Sequence, residues 1–394
     1  MSVRFRPACW AVLIITLLAG CGGGGAAPVP APPSASKAAA DLKVIAQRDL
    51  KIDNTRSLSL SPDGKWLAAI RGKSACLIAV DTLADKQCAE VTTGGLDVRS
   101  FVWSPDSQRV VFTEDLPRYM FESDIWTLDV ENGQLTDLTP DNVSGSFLKL
   151  PKDSVALLDT MPGWSPDGQT LIFSRSDRAN ALTTLYRISV NGGTPEKIID
   201  AAGSGPIAVW YGPRWLSNGK IVYTINHPKQ SEPTNGVWIA DSNGQNARQL
   251  LAFDQQLGAP ILADVSAKGD RALIWYTAAM QYATKPNVSF FALLDLSNGQ
   301  AFPLKPSGEF IGPANAAFSP DGSKIAYVYR TLDEQVNLVI RDVADGTEHT
   351  LLTQSGILGA STESPMQGLD WANNDTLYAA TGPGVGSLLT LGSR

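Results

Sequence analysis

Trp164-Ser165-Pro166-Asp167-Gly168 is the stretch that decides the fold. Pro at the second position of a tight turn brings its φ already set. Asp at the third position can bond back to the backbone, and Gly at the fourth takes the positive φ that a following bulge needs. A large apolar residue precedes the turn and an apolar run, Leu171–Ser174, follows it. The phrase reads as strand, tight turn, strand.

Six more copies, intact or worn, follow the same order. At the Pro position stand Pro62, Pro105, Pro166, Ser217, Ala267, Pro320 and Asn373, separated by 43, 61, 51, 50, 53 and 53 residues. Two positions earlier stand Leu60, Trp103, Trp164, Trp215, Val265, Phe318 and Trp371, all large and apolar. A period near 50 built of short strands is the signature of a β-propeller. Within each repeat a third strand is expected to end in a hairpin turn, as at Asn132-Gly133, Asn191-Gly192, Asn243-Gly244, Asn298-Gly299 and Asp345-Gly346. A fourth strand follows each of them.

The last repeat has room for its second and third strands and none for a fourth. A spare β-compatible stretch, Leu42–Leu50, stands before the first repeat. Joining the two closes the ring and removes an open edge. The expected fold is all-β, a single seven-bladed propeller of four antiparallel strands per blade, over residues 42–394. Six blades is the alternative, with the worn last repeat serving another purpose.

Antiparallel blades sort their connections onto two faces. First-to-second and third-to-fourth strand turns share one face and are all tight. The other face receives Glu114–Ser123, Pro140–Pro162, Ala202–Pro213, Asn226–Gly236, Ala278–Asn287, Ser307–Pro313 and Gln354–Gln367. Tyr119, Phe121, Phe147, Trp210, Tyr211, His227, Tyr282 and Phe310 lie on these segments and form the candidate binding face. Long loops rich in large side chains on one side of a scaffold suit recognition. Taken singly, each aromatic also suits a bland role, capping the channel or covering the core.

Residues 1–20 read as a signal peptide. Arg4 and Arg6 are its positive start, and Ala8–Ala19 is an apolar core too short to span a bilayer. Leu18-Ala19-Gly20-Cys21 resembles the bacterial lipobox, which implies acylation of Cys21, and Gly22 by the same resemblance implies the outer membrane, facing the periplasm. Residues 21–41 are the lipidated Cys and a Gly-, Ala- and Pro-rich linker, a composition that cannot bury enough to order itself. Cys76 and Cys88 remain as a candidate disulfide in an oxidising compartment. A hairpin turning near Ala84-Asp85 would set Cys88 opposite Asp81, so a bridge requires a shifted register or a bulge. Two free buried thiols are the alternative.

The phrases Ser61-Pro62-Asp63-Gly64, Ser165-Pro166-Asp167-Gly168 and Ser319-Pro320-Asp321-Gly322 resemble the TolB-like, WD40-like propeller repeat, which also occurs in prolyl oligopeptidases. The resemblance covers Leu42 to Arg394 and implies the fold. It carries no partner-binding residue, because the motif is a structural turn. The chain also lacks the separate α/β domain of TolB and the hydrolase domain of the peptidases.

Little in the sequence points to catalysis. Of the two histidines, His349 precedes an expected fourth strand and should be exposed, while His227 lies on the elaborated face. No Gly-x-Ser-x-Gly elbow, zinc-spaced Cys/His cluster, calcium loop or Walker loop is present. The reading therefore names no catalytic residue, no metal ligand and no cofactor. Glu122, Asp124 and Glu232 are acidic loop residues that could hold a cation or act as acid and base. The net charge of −7 argues against nucleic acid. The expectation is a monomeric, non-catalytic envelope lipoprotein that presents its long-loop face to a protein or an envelope component. A carbohydrate- or small-molecule-binding propeller is one alternative, and a metal-dependent lyase or lactonase is another.

Overall fold

The computed structural model describes residues 41–52, 54–91, 101–113, 123–141, 157–177, 182–200, 212–225, 232–276, 291–304, 309–310, 316–330, 335–355, 369–382 and 385–393. Every regular element among them is a strand. The chain opens with β1 (Leu42–Lys51). Blade one is β2 (Arg56–Leu60), β3 (Trp66–Arg71), β4 (Ser74–Ala79) and β5 (Asp85–Glu90). Blade two is β6 (Val102–Trp103), β7 (Arg109–Thr113), β8 (Ile125–Asp129) and β9 (Leu135–Asp137). Blade three is β10 (Leu157–Trp164), β11 (Thr170–Asp177), β12 (Leu182–Ser189) and β13 (Glu196–Asp200). Blade four is β14 (Arg214–Trp215), β15 (Lys220–Ile225), β16 (Gly236–Asp241) and β17 (Arg248–Ala252). Blade five is β18 (Pro260–Val265), β19 (Arg271–Tyr276), β20 (Phe291–Asp295) and β21 (Ala301–Leu304).

Blade six splits its inner position between β22 (Glu309–Phe310) and β23 (Ala316–Phe318), both paired with β24 (Lys324–Arg330), and continues through β25 (Gln335–Asp342) and β26 (Glu348–Ser355). Blade seven is β27 (Leu369–Asn373), β28 (Thr376–Gly382) and β29 (Val385–Ser393), completed by β1 as its outermost strand. The register of that closure runs from Leu42 opposite Ser393 to Lys51 opposite Val385, with one bulge after Val44. The sheets number seven, so the expected closure by the N-terminal strand is the observed one.

The turn phrase works as its residue types require. Gly64, Gly168, Gly219, Gly269 and Gly322 all have φ between 67° and 79°. Ser107 takes the same place in blade two at φ 60°, a conformation that a non-glycine residue rarely adopts. Ser165 holds the turn from inside: its hydroxyl donates to Asp167 Oδ1 at 2.6 Å and accepts from Thr170 N at 2.9 Å. Ser61, Ser104 and Ser319 repeat this pair of bonds. In the worn copy of blade five, Ser266 donates instead to Asp270.

The core lies between blades rather than within them. Each of the seven joints has its own apolar cluster; Ala68, Ile70 and Leu77 meet Phe101, Trp103 and Phe112 between blades one and two. The other face of β3, Leu67 and Ala69, packs toward blade seven with Leu50 and Tyr378. Middle strands are therefore buried on both faces, which is why they read as continuous apolar runs and not as alternating ones.

Polar bonds stitch the innermost strands across these joints. Trp103 Nε1 donates to the carbonyl of Ser59, Trp164 Nε1 to Val102 and Trp371 Nε1 to Ala317, at 2.9–3.2 Å. Each acceptor sits one residue before the large apolar residue of the preceding blade. Phe318 and Leu60 have no side-chain N–H to give. At their joints the preceding blade supplies a carboxylate in that same position: Asp264 Oδ2 accepts from Phe318 N, and Asp370 Oδ2 from Leu60 N, both at 2.9 Å.

Two expectations need correction. The first hairpin turns earlier than expected, with Leu83 at φ 56° and Leu83 N bonded to Ala79 O. A bulge between Leu77 and Ile78 then puts Cys76 directly opposite Cys88, and the structure joins them as a disulfide. His349 is not exposed: it lies in β26 and is buried.

Candidate functional site

Strand ends fix which connections reach which face. The turn face carries residues 61–65, 104–108, 165–169 and 319–323 between first and second strands, and 80–84, 130–134 and 296–300 between third and fourth. The opposite face carries the strand ends Thr113 and Ile125, Asp137 and Leu157, Asp200 and Arg214, Tyr276 and Phe291, and Ser355 and Leu369. Four of the segments expected there overlap strands: Pro140–Pro162 ends inside β10, Asn226–Gly236 ends on the first residue of β16, Ser307–Pro313 contains β22, and Gln354–Gln367 begins inside β26.

Of the candidate binding residues, Tyr119, Phe121, Phe147, Trp210, Tyr211, His227 and Tyr282 lie outside the described residues. Phe310 is described in its backbone, which pairs with Tyr329 in β24. Glu122 is likewise outside. Asp124 is not an open loop residue. It is buried at the head of β8, and Thr139 Oγ1 donates to its Oδ1 at 3.2 Å.

Asp124 belongs to a polar cluster at the joint of blades two and three. Arg175, in β11, grips Asp159 of β10 with two bonds, Nε to Oδ1 at 2.7 Å and Nη2 to Oδ2 at 2.6 Å. Asp159 is fully buried, and Arg175 also faces the ring of Tyr186. Burial pushes the Asp159 carboxyl up, and the guanidinium pulls against that shift. Asp137 is pushed up to about 6 by burial, with the charges of Asp141 and Asp159 adding to it and the Thr139 N–H opposing. Arg175 is thus coupled to Asp159 and Asp124, and Asp159 in turn to Asp137 and Asp141. Its sequence signal was two charged residues, Asp159 and Arg175, inside otherwise strand-like runs.

A second polar group lines the innermost strands. Arg214 of β14, Asp264 of β18 and Asp370 of β27 occupy equivalent places, one residue before the large apolar position. Burial pushes Asp370 up to about 6; the Leu60 N–H bond lowers it, the charge of Asp264 raises it, and Ser59 lowers it. A carboxyl raised in the folded chain contributes stability that is complete below its unfolded value of 3.8 and lost as pH rises through about 6. Asp370 should therefore make the fold about 2 kcal/mol less stable at pH 7.5 than at pH 4.5. Asp370→Asn should flatten that difference in urea midpoints. An unchanged difference would show that Asp370 does not titrate this way.

Among the described residues, no group of three or more His, Cys, Asp or Glu is arranged to hold a metal ion. His349 lies on the outermost strand of blade six, on the far side of the blade from the channel.

No protein-family model matches the chain, and no curated protein matches it. Solved structures do. An oligogalacturonate lyase in complex with manganese is similar over 88% of this chain and 91% of its own, at 11% identity and a TM-score of 0.59. The oligogalacturonate lyase of Vibrio parahaemolyticus is similar over 89% and 98%, at 10% identity and a TM-score of 0.58. What is shared is the fold. TolB from Acinetobacter baumannii is similar over 75% of this chain and 65% of its own, at 14% identity and a TM-score of 0.45.

Proposed function

We propose that this chain is a non-catalytic recognition propeller of the bacterial cell envelope, held on a membrane by acyl chains at Cys21, and that its long-loop face binds a protein. One observation carries the reading: the long connections between strands all fall on one face, although that face also takes the two-residue turn Gly72-Lys73. The turn-face segments between β2 and β3, β6 and β7, and β10 and β11 close with the same short phrase. On the other face 19 residues separate Asp137 from Leu157 and 14 separate Tyr276 from Phe291. A rigid disc with its variable chain gathered on one side has the layout of a scaffold that presents loops. The anchor rests on Leu18-Ala19-Gly20-Cys21 and on the positive, apolar segment before it. Several acyl chains, at about 0.8 kcal/mol per buried CH₂, hold a protein on a bilayer almost permanently.

Photo-crosslinking in cells tests the recognition face. A photoreactive residue in place of Tyr119, Trp210 or Tyr282 should give a discrete adduct with an envelope protein. One in place of Lys65 or Gln169, on the turn face, should not. The reading fails if the loop positions give no adduct while the purified chain cleaves oligogalacturonate in the presence of manganese. That outcome would make it a lyase of the kind its structural neighbours are named for.

A further inference from the structure

The innermost strands of successive blades touch around the axis: β6 meets β10, β10 meets β14, β18 meets β23, β23 meets β27 and β27 meets β2. Each pairs with a single strand of its own sheet, so its other side bounds the central channel. Burial shows which side chains face it. Val102 stays accessible between buried Phe101 and Trp103, Ala317 between Ala316 and Phe318, and Asp370 between Leu369 and Trp371. All three stand one place before the large apolar residue of their blade, so that place lines the channel wall, just ahead of the tight turns. Arg214 and Asp264 hold it in blades four and five and are accessible too. One arc of the ring is therefore charged, whereas Val102 and Gly163, in blades two and three, are not.

Stitching of the blade joints explains the two aspartates, whose Oδ2 atoms take the N–H groups of Phe318 and Leu60. It does not explain Arg214. The bonds of that side chain run from Nη1 alone, at 3.3 Å each, to the carbonyls of Gly212 and Pro213 just before it. No carboxylate among the described residues forms an ion pair with it, and Asp264 is the charge that acts on it. Burial pulls the guanidinium's pKa down and pushes those of both carboxyls up. All three charges are thus held at a cost that a bound counter-charge would relieve. Asp264 senses Arg214, and Asp370 senses Asp264, so the three face a common space. We infer that this arc binds a small zwitterion, with its carboxylate on Nε and Nη2 of Arg214 and its ammonium between Asp264 and Asp370. An anion alone would meet the two carboxylates, and a cation alone the guanidinium. A molecule carrying both ends satisfies both, and the planar fork of arginine suits a carboxylate. The site is separate from the long-loop face and does not depend on the reading of that face.

Calorimetric titration of the full chain in detergent at pH 7.5 tests it, with glycine, γ-aminobutyrate and ε-aminocaproate as a length series. At least one of them should bind. The same skeleton with a single charged end, such as butyrate or butylamine for γ-aminobutyrate, should bind about tenfold more weakly or worse. Arg214→Gln should bring the zwitterion down toward the level of its amine, and Asp370→Asn toward the level of its carboxylate. The one-ended probes on the wild-type chain decide even where a variant fails to fold. If no zwitterion of the series binds, or if an amine or a carboxylate alone binds as well, the channel holds no such site. Unchanged affinity in a folded Arg214→Gln chain would overturn it equally.

Discussion

Removal of residues 42–51 should abolish cooperative folding. β1 contributes a complete ladder to β29, from Leu42 opposite Ser393 to Lys51 opposite Val385. It also buries Leu50, which is fully enclosed with Leu58, Leu60, Leu67 and Tyr378 at the joint of blades seven and one. Losing Leu50 alone, as Leu50→Ala, should cost about 2–5 kcal/mol, already a large part of the net stability of a domain. Losing the whole strand also opens the edge of β29, a template for pairing with other chains. The truncated chain should lose its sigmoidal thermal transition and aggregate. The same residues should work from the other end. Appended after Arg394 through a two-residue Asn-Gly turn and Asp41, they would meet β29 in an ordinary hairpin, because Arg394 and Asp41 would then flank the turn and Leu42 would lie opposite Ser393 as it does now. That permuted chain should recover a single sharp transition. If the truncated chain melts like the full one, ring closure by β1 is not what holds the fold.

The ring was legible because its unit is local. Ser165, Asp167 and Gly168 form a turn whose hydrogen bonds close within five residues, so the residue types alone carry the geometry. The closing strand was legible by subtraction: one strand missing at the end, one spare at the start. What escaped the sequence is what depends on the meeting of distant segments. Asp370 is an unremarkable polar residue beside Trp371 until β27 is set next to β2, where it caps the N–H of Leu60. His349 looked like a surface residue because it stood just before the expected fourth strand at Thr350–Leu352. The arrival of Leu42 beside it is a contact made from the far end of the chain. The disulfide register turned on one residue, Leu83 taking a positive φ with no glycine to announce it. The aromatic loop residues lie outside the described residues, so the sequence remains their only reading.

Arg175→Met should be among the most damaging single changes in the protein. The guanidinium is the cation gripping fully buried Asp159, and Asp124, Asp137 and Asp141 belong to the same cluster. Removing one partner of a buried pair leaves the other charge uncompensated, a loss of about 3–5 kcal/mol. The apolar replacement keeps the volume, so the loss measures charge rather than packing. Acid should repair it. Without Arg175 the folded-state value of the Asp159 carboxyl rises further above its unfolded one, so stability should increase as pH falls from 7.5 toward 5. Replacing both partners, as Asp159→Leu with Arg175→Met, removes the stranded charge and should restore much of the urea midpoint at pH 7.5. The cluster includes Asp124 at the head of β8 and Asp141 after β9, so the single variant should also lose the crosslink from Tyr119 and the double variant should keep it. If Arg175→Met unfolds at the wild-type urea concentration at pH 7.5, the carboxylates are balanced by something other than this arginine.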